Sequence, residues 1–206
     1  MAKKVNREYK KGKVHRDHRK FIIVAEGDRE DEYFKYFNEL SRRVDIQIVN
    51  RDKGYSAAKH FLQRLVQYNY VYGIEPEDLV WFVLDVDKWP MKDIQYIYEQ
   101  CKKNKNWEIT ISNPCFEIWL HFHFLKEIPP TLNTAKKLKR NLPLIIQGGY
   151  NRITFAKLID TAKNNALAAD INKDDYFPQK GISKVYLLAD QLLQFLGRNW
   201  NGKYIH

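Results

Sequence analysis

Acidic side chains stand directly after two apolar runs, and that placement is the strongest chemical signal in the sequence. Phe21-Ile22-Ile23-Val24-Ala25 leads into Glu26-Gly27, and Leu79-Val80-Trp81-Phe82-Val83-Leu84 leads into Asp85-Val86-Asp87. Continuous β-branched and aromatic runs of this length read as strands covered on both faces. In sheets of that kind, ligands sit at the carboxyl ends of the strands. On an extended backbone Asp85 and Asp87 would point to one side, their Cα atoms roughly 6 to 7 Å apart. Glu26, Asp85 and Asp87 at adjacent strand ends repel one another, and unpaired buried charge is costly, so a divalent cation, Mg²⁺ or Mn²⁺, is the expected partner. Any hydrolysis there would use water activated by that metal. Lys88, next in the chain, would neutralise charge on the phosphate or simply screen the acids. The competing reading makes each acid a solvated loop residue at the start of the following helix, and for any one acid alone it is the better reading.

A second group follows another apolar stretch. Ser112-Asn113-Pro114-Cys115-Phe116-Glu117-Ile118-Trp119 has the pattern of a helix start: Ser112 or Asn113 as cap, Pro114 in the first turn and Glu117 closing a capping box. Spacing alone favours that structural reading. The functional one has Asn113 touching a phosphate and Glu117 binding a second metal. His121 and His123 stand two apart, which on a helix points them in different directions, so a shared metal is not expected. One should face the core or a carboxylate and the other solvent, with a proton-shuttle role open to His123. Lys136, Lys137, Lys139 and Arg140 form a basic patch without interleaved aromatics, suited to backbone contact and not to base reading. Cys101 and Cys115 form no C-x-x-C pair and read as reduced core residues. No G-x-x-x-x-G-K-[ST] and no G-x-S-x-G occur, which excludes a P-loop ATPase and a serine-elbow hydrolase.

The elements that must position these groups alternate. Tyr33, Phe34, Phe37 and Leu40 recur near helical spacing after the first strand. A short strand over 45–49 follows, then a turn at Gly54-Tyr55-Ser56 and a helix bearing Ala58, Phe61, Leu62, Leu65, Val66 and Tyr68. After the Leu79 strand come a helix from about Met91 and a fourth strand over 107–111. Strict alternation implies right-handed crossovers and an α/β fold with a parallel sheet of about four strands flanked by helices. Beyond Ser112 the pattern turns helical, with helices near 134–140, 153–169 and 183–196. The expected organisation is therefore a basic arm over 1–20, an α/β core over 21–125 and a helical extension over 126–206 that packs on the core.

The chain holds 35 Lys and Arg against 25 Asp and Glu, a formal net charge of +10. A basic protein with acids gathered at strand ends points to a polyanionic partner and a cation-loaded site. Nine basic side chains fall within residues 1–20, Lys10, Lys11, Lys13 and Arg16 among them. Such an arm either follows a phosphate backbone or is merely solvated, and the two readings stand equal. No run is long enough to span a membrane and the N-terminus is polar, so a soluble, cytoplasmic protein is expected.

Taken together, Glu26-Gly27 and Asp85-x-Asp87 resemble the two motifs of the Toprim domain. More specifically, Glu26-Gly27-x-x-Glu30-x-x-Tyr33-Phe34, the Ser112-to-Trp119 segment and His123-Phe124 resemble the RloB family. The resemblance is closest over residues 20–125. It implies a Toprim-like, Rossmann-like fold and a Mg²⁺-dependent nuclease of prokaryotic anti-phage or abortive-infection systems, working with an ABC- or AAA-type ATPase. It also implies metal-ligand or acid/base duty for Glu26, metal-ligand duty for Asp85 and Asp87, and supporting metal contacts from Glu30 and Glu117. Arg29 departs from the threonine common at that place, and 178–183 departs from the expected proline-and-threonine segment. The alternative of a different class is a noncatalytic Toprim-like module that binds nucleic acid or the ATPase. A dehalogenase-type phosphatase ranks last, because Trp89 stands where that motif wants a threonine.

Overall fold

The two apolar runs form neighbouring central strands. The computed structural model of the chain describes residues 18–51 and 58–196. Lys10, Lys11, Lys13, Arg16 and the turn expected at Gly54-Tyr55-Ser56 lie outside the described residues. Strand β1 (Arg19–Ala25) pairs in parallel with β3 (Leu79–Asp85), Phe21 opposite Leu79 and Ala25 opposite Val83. On the other side of β1 lies β2 (Val44–Ile48), and beyond β3 lies β4 (Trp107–Asn113), both parallel. A two-residue strand, β5 (Ile182–Ser183), adds antiparallel to β4 and completes the order β2-β1-β3-β4-β5. The fold is α/β, as the alternation of apolar runs predicts, with a fifth strand that two residues could not announce.

Side chains alternate across each strand, so the sheet feeds two cores. Phe21, Ile23, Ala25, Trp81 and Val83 face helices α1 (Asp28–Lys35) and α2 (Phe37–Leu40) together with the later helices of the chain. Ile22, Val24, Phe82, Leu84 and Ile111 face α3 (Ala58–Tyr72) and α4 (Met91–Lys103). The chain leaves β1 toward β2 through α1 and α2, then returns past β1 to β3 through α3. Right-handed crossovers in opposite directions place these helices on opposite faces. The strand order therefore reverses between β1 and β3, which opens a crevice at their carboxyl ends.

Helices α5 (Glu117–Phe122), α6 (Ala135–Ile145), α7 (Arg152–Lys157), α8 (Ile159–Ala169) and α9 (Tyr186–Leu196) follow. Their Leu138, Phe155, Ala162 and Leu192 join the same buried cluster as Phe21 and Trp81. The single helix expected over 153–169 is divided at Leu158. Thr134 caps α6, accepting from the Lys137 N–H at 3.3 Å, and Asn151 caps α7.

Two local expectations fail for physical reasons. Ser112 and Asn113 do not cap a helix, because β4 runs on through both. The Ser112 hydroxyl lies 2.8 Å from that of Ser183, and the Asn113 amide donates to the Pro178 carbonyl at 3.0 Å. Phe116 stands at the N-cap of α5 without a side-chain cap, and Asn113-Pro114 is a cis peptide. Nor do His121 and His123 divide between core and solvent, since both are buried. The short helix α5 is covered all round by its neighbours, so its direction of pointing does not decide exposure. Among the described residues no helix is long and apolar enough to cross a membrane.

Candidate functional site

Glu26 leaves β1 and immediately contacts the end of β3. Its Oε1 accepts the Asp85 N–H at 2.7 Å and the indole N–H of Trp89. Trp89 is held in turn edge-on against Phe61 of α3, with ring centroids 5.0 Å apart. Gly27 is required next because the carboxylate of Glu30, one turn into α1, folds back over it. A Cβ at position 27 would lie 2.5 Å from Glu30 Oε2. The Glu30 carboxyl is thereby brought toward the strand ends and buried.

Asp85 is the last residue of β3 and is buried, with Oδ1 lacking any hydrogen-bond partner among the described residues. Burial pushes its pKa well above the usual carboxylate range, and the charges of Glu30, Glu26, Asp87 and Glu117 push it further. Burial likewise raises Glu26 to about 8, against the lowering effect of its two hydrogen bonds, and raises Glu30 to about 7 with Glu117 and Asp31 adding repulsion. Five carboxylates therefore feel one another at one mouth. The cleft that four of them line measures about 1110 Å³. Glu26, Glu30, Asp85 and Glu117 line it, as do the cations Arg29, Arg51, Arg64, Lys88 and Lys139.

Asp87 departs from the extended geometry expected of it. The chain turns into a 3₁₀ segment over Val86–Lys88, fixed where the Asp87 N–H donates to the Pro114 carbonyl at 3.0 Å. The residue is exposed at the rim, close enough for burial and Glu117 to raise its pKa while Lys88 and Lys139 lower it. Lys88 lines the cleft and is exposed. Glu117, at the start of α5, sits 3.8 Å from the Lys139 ammonium.

Two candidates are placed elsewhere. The amide of Asn113, expected to meet a phosphate, is spent on Pro178, while its carbonyl accepts the Gly181 N–H at 2.8 Å, so it anchors the 178–181 loop. His123 lies among Tyr33, Trp119, Phe124 and Phe155. Its Nδ1–H donates to the Trp119 carbonyl at 3.0 Å, which leaves Nε2 to accept from the Tyr33 hydroxyl at 3.1 Å. Full burial lowers its pKa to about 3, so the ring is neutral. It does not line the cleft. His121 is similarly committed, its ring nitrogens facing the Glu117 carbonyl at 2.7 Å and the Asn141 amide at 3.1 Å.

Sequence spacing missed Trp89, Arg51 and Arg64. Arg64 ties the ends of β1 and β2 together by donating to the carbonyls of Ala25, Val49 and Asn50. Arg51 bridges to Asp28 and Asp31 of α1. No motif flags them, because each acts on main chain or on acids distant in sequence.

The donor set is all hard oxygen, which suits Mg²⁺ or Mn²⁺, and the unpartnered buried Asp85 Oδ1 is the atom a cation would satisfy. As the side chains stand, no three His, Cys, Asp or Glu groups among the described residues are assembled around a common metal position. Holding a cation here would require side-chain rotation, with Glu26 offering the oxygen not engaged by Trp89.

The family model for RloB-like protein matches residues 21–192, which takes in all of the sheet but the first two residues of β1, the acidic cleft and most of α9. No curated protein and no solved structure matches the chain. The match covers far more than the motif-bearing segments, and the chain belongs to the RloB-like protein family.

Proposed function

We propose that the chain is a Mg²⁺- or Mn²⁺-dependent nuclease, with Glu26, Asp85 and Asp87 as the principal metal ligands and Glu30 and Glu117 as supporting ones. The observation that carries the reading is the buried, unpartnered carboxylate oxygen of Asp85 surrounded by four further acids at the β1/β3 strand ends. A bound cation supplies activated water and neutralises charge on the leaving oxygen. Around it, Lys88 and Lys139 place positive charge where phosphate oxygens would enter the cleft. Without a cation, burial raises Glu26 to about 8, so the carboxyl would release its proton as a cation binds. The Toprim resemblance supports the same roles and extends the proposal to anti-phage defence beside an ABC- or AAA-type ATPase.

The noncatalytic alternative draws on two observations. Glu26 Oε1 is already satisfied by Asp85 N–H and Trp89, and no three-ligand group stands preassembled among the described residues. Incubating wild type and Glu26→Gln with supercoiled plasmid, single-stranded DNA and tRNA in Mg²⁺, then Mn²⁺, separates the two readings. Cleavage by wild type that EDTA and Glu26→Gln both abolish supports the nuclease. Intact substrates in wild type that has bound metal and ATPase favour the module.

A further inference from the structure

The outer face of α3 carries an aromatic and apolar stripe that the described chain covers only at its first residue. Leu62, Val66 and Tyr70 recur at i, i+4 and i+8 and so line one face, Leu62 half-buried against the core and the other two exposed. Val66 is 65 % exposed and Tyr70 91 %. Val66 belongs to the apolar set of this helix, yet only Phe61 and Leu65 are buried against the sheet. Tyr96 of α4, 49 % exposed, forms the opposite wall of a groove of about 570 Å³. Gln63 and Gln67 complete its lining, and both also line the acidic cleft. The two depressions thus share a wall.

The chemistry of the groove narrows its occupant. None of its lining residues is charged, so phosphates gain nothing there, whereas the cations of this region line the neighbouring cleft. Continuity with the cleft across Gln63 and Gln67 favours an occupant that enters both depressions, as a strand does with its backbone in one and its bases in the other. Tyrosine faces stack on planar bases, and primary amides meet base edges as donor and acceptor together. A base inside a duplex is stacked on both sides and presents no face to a tyrosine. We infer that the groove receives unpaired bases of a single-stranded nucleic acid whose backbone enters the acidic cleft. The inference deepens the proposed nuclease function and rests on it for the position of the backbone.

Fluorescence anisotropy in Ca²⁺ tests it, using labelled poly(dT) and poly(rU) strands, an abasic strand of equal length and a duplex. Mn²⁺ binding is read separately by calorimetry. Wild type should prefer a base-bearing single strand to the abasic strand and the duplex. Tyr70→Ala and Tyr96→Ala should each weaken that strand by at least about five-fold, with Mn²⁺ binding and thermal midpoint unchanged, and Tyr70→Phe should restore it. Equal affinity for base-bearing and abasic strands, or indifference to both alanine variants, overturns the groove as a base site. A wild-type dimer that Tyr70→Ala dissociates, without base preference, gives the groove to a second copy and overturns it likewise. If Mn²⁺ binds and substrate is cut in any of these cases, the nuclease reading stands alone. Base preference in a protein that binds no Mn²⁺ leaves the groove standing and removes the nuclease.

Discussion

Glu26 accepts the main-chain N–H of Asp85 at 2.7 Å, so the acid that ends one strand is fastened to the acid that ends its neighbour. The Glu26 carboxylate reaches the Asp85 main chain because Ala25 lies opposite Val83 in the parallel register. Strand pairing carries Glu26, one residue past β1, to the end of β3, and a site anchored on rigid strands holds its geometry better than one on loops.

The acids should make the metal-free protein less stable as pH rises. Folding raises Glu26 from an ordinary 4.5 to about 8 and Glu30 to about 7, chiefly by burial. Between those limits the folded state binds more protons than the unfolded one. The stabilisation is therefore complete below about pH 4.5 and is lost as pH passes through about 7 and then 8. Thermal midpoints measured in EDTA across this window should fall, and Glu26→Gln should flatten the slope. Mg²⁺ added at the upper end should recover stability, because it favours the ionised carboxylates. A wild-type midpoint that is flat across the window contradicts this.

Gly27→Ala isolates Glu30. The new Cβ would overlap Glu30 Oε2, and the flexible carboxylate, not the backbone, is what must move. Metal affinity should fall about ten-fold or more, with little change in thermal midpoint. Unchanged affinity by calorimetry would remove Glu30 from the metal set.

His123 is expected to act on stability. Replacing it with Phe leaves the buried Tyr33 hydroxyl without its acceptor, at a cost of about 1–3 kcal/mol. Denaturant unfolding should record that loss while Mn²⁺ titrations stay superimposable on wild type. A variant of full stability that has lost only cleavage would restore the proton-shuttle role.

A second buried charge holds the C-terminal segment. The Lys184 ammonium lies 2.5 Å from Asp170 Oδ2 and donates to the Asn172 carbonyl at 2.7 Å, while the Tyr186 hydroxyl donates to the same Asp170 oxygen at 2.8 Å. Asp170→Ala would strand a buried cation and should cost about 3–5 kcal/mol. Lys184→Met combined with Asp170→Leu should recover much of it, and a double variant as unstable as the single one would contradict the ion-pair explanation.

The sheet and its order of elements were readable because apolar runs such as Phe21–Ala25 carry their own period and length. Glu26 and Asp85 were readable for the same reason, since each marks the end of such a run. Asp87 was misplaced because a 3₁₀ turn begins one residue earlier, set by a hydrogen bond to Pro114 that no local pattern encodes. Ser112 and Asn113 carry cap chemistry, yet β4 extends through them once β5 arrives from seventy residues downstream to pair with it. Trp89 and Arg64 act through partners far along the chain, Glu26 in one case and the Ala25 carbonyl in the other. Long-range pairing, and not local propensity, separates what was legible from what was not.

The carboxylates at the β1 and β3 ends are proposed to hold a divalent cation. Mn²⁺ titration by calorimetry into wild type and an Asp85→Ala/Asp87→Ala variant of matched thermal stability decides whether they do. Saturable binding in wild type that disappears in the variant is the expected result. Equal binding by both proteins, or none by wild type, would contradict the metal site and leave the acidic cleft with the noncatalytic module.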